Sequence, residues 1–474
     1  MRPVLPVATG RFGRRRPKPA PRRGHPYPEP VTQPELPDLS DVSGELFARQ
    51  PETDMVPTLR RVQRVMDLLG DPQRSPRIVH ITGTNGKTST ARMLETLLVA
   101  TGLRVGTYTS PHLESVTERI RIDGEAISDE RFIEVYEDIR PIVGMVDAEE
   151  EADGRPGLTF FEVITCMAFA AFADAPVDVA VIEVGLGGVW DATNVADADV
   201  AVITPIAVDH VQWLGTTPIQ IAAEKAGIIK AGCTAVIGHQ QPDVRQVLLD
   251  RCAEVGAAAR VVETDHHVLD RTVAVGGQVF SVQVGDVRYD EVFLPLHGAH
   301  QADNAALAVA AVDALLVSEE PLDQALVDAL GSVMSPGRLE PVRRDPTVLV
   351  DAAHNPAGAA ALAAALSESY TFFETTAVIA VMADKDVVGI LAPLRTCVDR
   401  VIATQNSSER CLPAGALAEA ATEVFGADAV DLEPDLAAAL GVAIRHAEQS
   451  GGGVVVTGSV VTAGDARRIL RESE

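Results

Sequence analysis

Lysine is scarce in this chain. Five lysines stand among 40 basic residues in a sequence of 474 residues, so arginine fills nearly every routine cationic position. A lysine retained against that background is a candidate for chemistry that needs an amine rather than a guanidinium. The five lysines are Lys18, Lys87, Lys225, Lys230 and Lys385.

Positive charge as a whole is also in short supply. The 67 acidic residues give the chain a net charge of −27, although its first 28 residues carry basic charges alone. An acidic body repels phosphate backbones, so we expect no nucleic acid partner.

Cysteine and long apolar runs are scarce as well. The five cysteines are scattered and include no C-x-x-C pair, which argues against a disulfide framework or a zinc cluster. No apolar run reaches the length that spans a membrane, and no segment has the pattern of a signal peptide. We therefore expect no membrane partner and a location in the reducing cytoplasm.

The length predicts two or three domains. Residues 1–37 are rich in proline and arginine and almost free of large apolar residues, so we expect this basic tail to be disordered. Turn residues at Ser335-Pro-Gly337 predict a boundary. We expect a larger domain at 38–335 and a smaller α/β domain at 336–474.

A glycine-rich loop organises the larger domain. An apolar strand at 78–81 leads into the loop 83–86, and a helical pattern follows it. Glycines let backbone N–H groups surround phosphate oxygens, and the helix N-terminus adds partial positive charge. Asn85 and Gly86 belong to this loop, Lys87 would reach the β- and γ-phosphates, and the Thr88 hydroxyl would hold Mg²⁺. The sequence thus predicts binding of a nucleoside triphosphate.

Strands and helices alternate along the rest of the chain. This pattern predicts an α/β fold: a P-loop parallel sheet with helices on both faces, followed by a smaller Rossmann-like sheet after residue 335. We expect β-hairpins within 258–297, around the turn Gly276-Gly277. The predicted parallel strands are 104–108, 177–184, 200–204, 235–238, 348–350, 377–381, 400–403 and 454–457.

Polar residues at the ends of these strands predict a metal site. Glu183 lies in an otherwise apolar strand, where a charge is costly unless it is paired or binds metal, so we favour a Mg²⁺ ligand over a structural ion pair. His210 alone would be a hydrogen-bonded core residue, and its position beside the other candidates makes ligation as plausible. Lys225, in the last turn of a helix at 217–227, either complements the helix dipole or has a chemical role.

Eight motifs together resemble the folylpolyglutamate synthase/dihydrofolate synthase family of the Mur ligase superfamily. The likeness runs from about residue 55 to the C-terminus, and the short Gly-x-x-Gly-Lys-Thr loop is the form found in that superfamily. The motifs are 83–88, 109–113, 183–194, 209–210, 224–228, 300–304, 336–340 and 351–356.

The resemblance implies an ATP-dependent amide ligase. ATP would phosphorylate a substrate carboxylate, and the amine of L-glutamate would then attack the acyl phosphate. Catalytic roles would fall to Lys87, Lys225 and His210. Matching positions imply that ATP contacts Asn85, Gly86, Lys87, Thr88, Asn304, Arg338 and Asp351, and that Mg²⁺ is held by Ser110, Glu183 and His210.

The resemblance also implies the substrate contacts. Folate or dihydropteroate would meet Thr159, Phe160, Phe161, Glu162, Trp190, Asp191 and Ala192, and His354 would belong to the glutamate site. Lys225 matches a lysine that the family carries as a carbamate, an N6-carboxylysine, whose oxygens suit a Mg²⁺ site. We expect a monomer.

Val189 departs from the pattern, because the family has an arginine there. This change affects the expected substrate preference and not the reaction class. Two other functions remain open at this stage. A UDP-muramyl peptide ligase shares the loop and the chemistry, although few residues precede Gly83 to form a UDP-binding domain. A P-loop nucleotide switch would not need Arg338, Asp351 and His354 in a second domain.

Overall fold

The computed structural model describes residues 37–49, 56–316 and 321–472. The predicted disordered tail lies outside these residues, apart from Pro37. Asp38–Glu474 forms one compact unit. Within it, the described strands make two parallel-based sheets and one small antiparallel sheet. The boundary predicted at 335/336 stays a prediction.

The larger sheet contains eight of the described strands. They are β1 (Arg77–Thr82), β2 (Val105–Tyr108), β3 (Ile120–Ile122), β4 (Glu125–Ala126), β5 (Val179–Glu183), β6 (Val200–Ile203), β7 (Thr234–Ile237) and β8 (Ala258–Val261). Their order is β4-β3-β2-β5-β1-β6-β7-β8, with antiparallel pairing at β3 and β4 only. The predicted parallel sheet is confirmed.

Helices cover both faces of this sheet. They are α1 (Leu39–Phe47), α2 (Arg60–Leu69), α3 (Lys87–Ala100), α4 (Asp129–Ala152), α5 (Phe160–Asp174), α6 (Val211–Leu214), α7 (Pro218–Lys225), α8 (Pro242–Val255), α9 (Ala299–Leu316) and α10 (Gln324–Asp328). Alternate residues of a strand point to opposite faces. Accordingly Ile78 packs in the core formed with α5, and Val79 and Ile81 pack in the core formed with α3 and α9.

A three-stranded antiparallel sheet, β11-β10-β9, follows the larger sheet in the chain. It consists of β9 (His266–Ala274), β10 (Gly277–Val284) and β11 (Val287–Leu294). The predicted turn at Gly276-Gly277 joins β9 and β10, where Gly276 adopts a φ of 77°. The hairpin prediction was wrong for residues 258–261, because this segment is β8 and pairs in parallel with β7.

The second parallel-based sheet has the order β12-β13-β17-β14-β15-β16. Its strands are β12 (Glu340–Arg344), β13 (Thr347–Val350), β14 (Thr375–Ile379), β15 (Arg400–Ala403), β16 (Val430–Leu432) and β17 (Gly453–Thr457). Its helices are α11 (Pro356–Ser369), α12 (Val387–Leu394), α13 (Ala414–Phe425), α14 (Leu436–Ser450) and α15 (Val460–Glu472). Only β12, at one edge, is antiparallel. The expected second α/β sheet is therefore present.

Candidate active site

The glycine loop after β1 folds tightly against its neighbours. Gly83 has a φ of 148°, and a Cβ there would lie 1.9 Å from Thr204 Oγ1. Gly86, at the start of α3, has a φ of 89°, and a Cβ there would lie 2.7 Å from Asn304 Oδ1. Only glycine fits such close approaches at positive φ. The loop thus brings the predicted nucleotide contact Asn304 against Gly86.

Lys87 begins α3 and turns back over this loop. Its amine donates to the carbonyl oxygens of Gly83 and Thr84, at 3.1 Å each. Burial lowers the pKa of Lys87, and the carboxylates of Glu183 and Asp209 oppose that shift. Because these carbonyl partners are neutral, the positive charge of Lys87 remains available to an anion such as phosphate.

Glu183 is the buried carboxylate at the end of β5. The Thr88 hydroxyl lies 3.0 Å from each of its oxygens, and the Ser110 N–H donates to it at 3.3 Å. Burial raises the pKa of Glu183, and Lys87 opposes the shift. A carboxylate and hydroxyls beside a phosphate loop are the hard oxygen donors that suit Mg²⁺.

This donor set fits Mg²⁺ with help from the nucleotide. The described residues contain no cluster of three or more His, Cys, Asp and Glu side chains placed to hold a metal ion. Mg²⁺ commonly takes one or two carboxylates together with substrate phosphates. Glu183, Thr88 and Ser110 are brought together as predicted.

His210 stands before the short helix α6 with a left-handed φ of 52°. Its Nε2 lies 3.9 Å from Asp209 Oδ2. Burial lowers the pKa of His210 to about 4, aided by Lys385 and Lys87 and opposed by Asp209. This shift favours the neutral imidazole, the state that a metal ligand requires.

Lys225 ends α7, and its residue is 4% exposed. Burial lowers the pKa of Lys225 to about 7, and Lys87 adds to the shift while Asp191 opposes it. Among the described residues, no carboxylate lies within ion-pair distance of the amine. An amine buried so deeply without a counter-ion is poorly explained as a dipole-complementing lysine on the surface.

A pocket lies beside α5 and the segment after β5. Residues of both predicted folate segments line this pocket. Phe160 does not, because its ring packs against that of Phe47, with the ring centroids 5.1 Å apart. The lining residues include Arg61, Thr159, Phe161, Glu162, Gly185, Leu186, Trp190, Asp191 and Ala192. Six of the seven predicted folate contacts thus share one pocket.

Arg61 is a pocket residue that sequence reasoning missed. Its guanidinium binds the Glu162 carboxylate at 2.9 to 3.1 Å, and both side chains are buried. Glu162 also accepts from the Thr159 N–H at 2.8 Å and closes the capping box of α5. The sequence offered one signal for Arg61, which is its position next to the apolar residue Val62 in a predicted amphipathic helix. Glu162 is consequently held in place by protein groups.

The second sheet brings Asp351 and Arg338 to the same region. The Asp351 carboxylate accepts from the N–H groups of Leu339 and Ala353, at 2.8 Å each. Asp351 therefore fixes the backbone beside Arg338. The positive charge of Arg338 acts on both Lys87 and Glu183, which puts its guanidinium near the phosphate loop.

A buried polar network joins this sheet to the phosphate loop. Asn355 and Asn85 exchange two hydrogen bonds at 3.0 and 3.1 Å, and Asn355 also donates to Asp209 at 3.0 Å. Lys385 lies 2.5 Å from Asp209, and His354 Nε2 lies 3.5 Å from it. Sequence reasoning did not assign Lys385 to the site, although its survival among so few lysines was a signal.

Two domain families match this sequence. The Mur ligase middle domain matches residues 81–312, and the Mur ligase glutamate ligase domain matches residues 337–460. The dihydrofolate synthase/folylpolyglutamate synthase of Mycobacterium tuberculosis is 48% identical over 464 residues, covering 93% of this chain and 95% of that protein. The chain belongs to the dihydrofolate synthase/folylpolyglutamate synthase family of Mur ligases. It is an ATP-dependent ligase.

Solved structures of the family agree with the fold. The folylpolyglutamate synthase of Mycobacterium tuberculosis complexed with ADP superposes with a TM-score of 0.88 at 48% identity, covering 91% of this chain and 98% of that one. Escherichia coli FolC in complex with DHPP and ADP gives a TM-score of 0.80 at 32% identity, covering 92% and 98%. The resemblance stated from the motifs is confirmed, and the muramyl ligase and the nucleotide switch are set aside.

The described residues include no helix with the length and apolarity needed to cross a membrane. All five cysteines are free thiols, as expected. The individual roles of the site residues, the monomeric state and the effect of Val189 stay predictions.

Proposed function

We propose that this ligase joins L-glutamate to tetrahydrofolate and also to dihydropteroate, through an acyl phosphate. The observation that carries the proposal is the meeting of two sheets at one loop. The first sheet supplies the loop and Glu183, and the second brings Arg338, His354 and Lys385 to it. A ligase of this kind has three substrates: ATP, the folate or dihydropteroate, and L-glutamate. A nucleotide site on the first sheet and a proposed glutamate site on the second suit that requirement.

The first step is phosphoryl transfer. A carboxylate oxygen of the substrate attacks the γ-phosphorus of ATP, the bond to the β-phosphate oxygen breaks, and ADP leaves. Lys87 and Arg338 neutralise charge on the phosphates, which is the main contribution that a protein makes to such a transfer. Mg²⁺, held by Glu183, Thr88 and Ser110 with His210 nearby, would supply further positive charge to the phosphate oxygens.

The second step is amide formation. The amine of L-glutamate attacks the acyl carbon, inorganic phosphate leaves, and the amine loses a proton. His354 and the Lys385 ammonium face the same carboxylate, Asp209, at the meeting of the sheets. We propose that these two side chains receive a carboxylate of the incoming glutamate.

Lys225 is proposed to carry a carbamate. Carbamate formation joins the neutral amine nitrogen to the carbon of CO₂ and releases a proton. A pKa near 7 makes the neutral amine abundant at physiological pH, which is unusual for lysine. The product is an anion, and Lys87 is the cation that acts on this position. We further propose a cytoplasmic location, which the free thiols support.

ATP turnover separates the substrates. Phosphate release would be measured with dihydropteroate and with tetrahydrofolate, each with and without L-glutamate. We expect glutamate-dependent release with both, and amide products by mass spectrometry. Turnover with tetrahydrofolate alone would make the enzyme monofunctional. Release that does not depend on glutamate would contradict the ligase assignment.

A further inference from the structure

Arg119 is a buried arginine with no carboxylate partner among the residues that the structure describes. Three arginines of the described residues are less than 9% exposed: Arg61, Arg119 and Arg467. Arg61 pairs with Glu162, and Arg467 pairs with Glu114 and Glu340. Arg119 is 5% exposed and makes no ion pair with any described residue. A buried charge is costly when nothing opposite in charge compensates it.

The groups around Arg119 are neutral. Its Nε donates to His112 Nδ1 at 2.9 Å, and its guanidinium lies 4.9 Å from the centroid of the Phe160 ring. Its Nη1 is buried and has no hydrogen-bond partner in the described part of the chain. The carboxylate of neighbouring Glu118 is occupied, because it accepts from the backbone N–H groups of residues 113–115. Among the described residues, the guanidinium therefore has an unused N–H group and no counter-ion.

The position of Arg119 connects the pocket to the phosphate loop. Phe160 lies between the pocket residues Thr159 and Phe161 in the chain, and its own ring packs beside the pocket lining against Phe47. On the other side, the Arg119 carbonyl accepts from the N–H of Thr109, the residue before Ser110. A folate with its pterin in the pocket and its reacting carboxylate at the loop would extend along this path.

We propose that Arg119 binds the α-carboxylate of the glutamate that a folate substrate already carries. This inference rests on the proposed function. A folate presents two carboxylates on its glutamate, and only one of them is activated. The other is an anion that enters the site and needs a cation. Dihydropteroate has a single carboxylate, the one that reacts, so Arg119 distinguishes the two substrates.

The test compares ligands that differ by that carboxylate. Binding and KM would be measured for tetrahydrofolate, for dihydropteroate, and for a tetrahydrofolate analogue in which 4-aminobutyrate replaces glutamate. Wild type should bind the analogue more weakly than tetrahydrofolate. Arg119→Met should raise the Kd and KM for tetrahydrofolate at least roughly ten-fold, while those for dihydropteroate and the analogue change little. Arg119→Lys, which keeps the charge, should recover part of the loss.

Matched controls separate this role from a structural one. Arg140→Met removes an exposed arginine paired with Glu137 and should leave every constant unchanged. An equal loss for all three ligands, no loss for any, or a raised KM for ATP would each overturn the proposal. If Arg119→Met does not fold, the wild type and Arg119→Lys decide, because the charge-retaining variant must still prefer tetrahydrofolate to the analogue. Failure of wild type to ligate tetrahydrofolate would refute the proposed function, whereas the binding comparison would still test Arg119.

Discussion

Buried charges in this protein fall into two groups that differ in their partners. Asp209, where the two sheets meet, has Lys385 at 2.5 Å and Asn355 at 3.0 Å. Lys87 and Lys225, near the phosphate loop, have no carboxylate of the described residues within ion-pair distance. The paired group is internally compensated and joins the two sheets, and its members Lys385 and His354 are also the side chains proposed to receive the glutamate carboxylate. The unpaired group carries charge that a ligand or a modification has to balance.

The presence or absence of a charged partner predicts whether a substitution alters stability or ligand binding. Breaking a compensated pair exposes its remaining member to the full cost of burial, so the effect appears in stability. Removing an uncompensated cation relieves that cost in the free protein, so the effect appears in ligand binding and turnover. The predictions below test this division, beginning with the largest effect.

Lys87→Ala should abolish ligation. Among the described residues, the amine hydrogen-bonds only to the loop carbonyls of Gly83 and Thr84, and the loop is where the phosphates are expected. We expect turnover at saturating ATP to fall roughly 10² to 10³-fold, as for removal of one key electrostatic contact, with an unchanged Tm.

Lys230→Ala is the contrasting variant. Lys230 also donates to two carbonyls, those of Asn194 and Ala196, but it is paired with Asp197 at 3.0 Å. Its loss should lower the Tm and leave measurable turnover. If Lys87→Ala retains a tenth of wild-type turnover, the phosphate-loop assignment is wrong.

Lys225→Ala should be nearly inactive, with partial rescue by a short carboxylic acid that occupies the place of the carbamate. Carbamates are lost in acid, so dialysis of the wild type at mildly acidic pH without CO₂ should lower activity, and bicarbonate should restore it. The direct measurement is a carbon-13 carbonyl resonance after labelling with ¹³CO₂. A fully active preparation with an unmodified amine would refute the carbamate.

Asp209→Asn should destabilise the protein by roughly 3–5 kcal/mol, because it leaves the Lys385 ammonium buried and uncompensated. Urea denaturation measures this loss. The double variant Asp209→Asn/Lys385→Met should lose less than Asp209→Asn alone. Asp197→Asn, in a pair whose carboxylate is 80% exposed, should change stability by about 1 kcal/mol or less.

The same pair predicts a dependence on pH. Burial opposes ionisation of Asp209, but the hydrogen bond from His354 and the nearby positive charges hold its pKa below the ordinary value of 3.8. The unfolded chain therefore binds the proton more readily than the folded one. The stabilisation from Asp209 is complete above pH 3.8 and is lost as the pH falls toward the lower pKa of the folded protein. In Asp209→Asn, the free energy of unfolding should depend less on pH in this acidic range.

Patterns within short segments of the sequence predicted most of the strands and the glycine loop. Contacts between residues far apart in the chain could not be predicted in this way. The apolar strands and the glycine loop are continuous in sequence, so hydrophobic pattern and spacing located β1, β5 and the loop. Lys385 was visible as a rare lysine, but its partner Asp209 is 176 residues away in the chain. Arg119 gave no local signal, because only the fold shows that it is buried without a counter-ion.

Arg338→Ala should change stability only slightly and have a clear effect on ATP binding. Arg338 is half-buried, and its guanidinium donates to the Gly337 carbonyl at 3.5 Å. The backbone beside it is fixed by Asp351, so truncation removes little packing and the Tm of the ligand-free protein should move by about a degree or two. Loss of a charged hydrogen bond to phosphate should weaken ATP binding roughly ten-fold or more.

Isothermal titration with ATP and thermal melting without it measure the two effects separately. Arg343→Ala, on β12, is the control, since Arg343 is a partly exposed arginine paired with Glu448 at 3.5 Å and belongs to neither group of buried charges. It should leave the ATP affinity unchanged. Unaltered ATP affinity in Arg338→Ala would remove Arg338 from the nucleotide site. A fall of several degrees in its ligand-free Tm would place it among the structural arginines, and the division between compensated and uncompensated charges would then fail at this position.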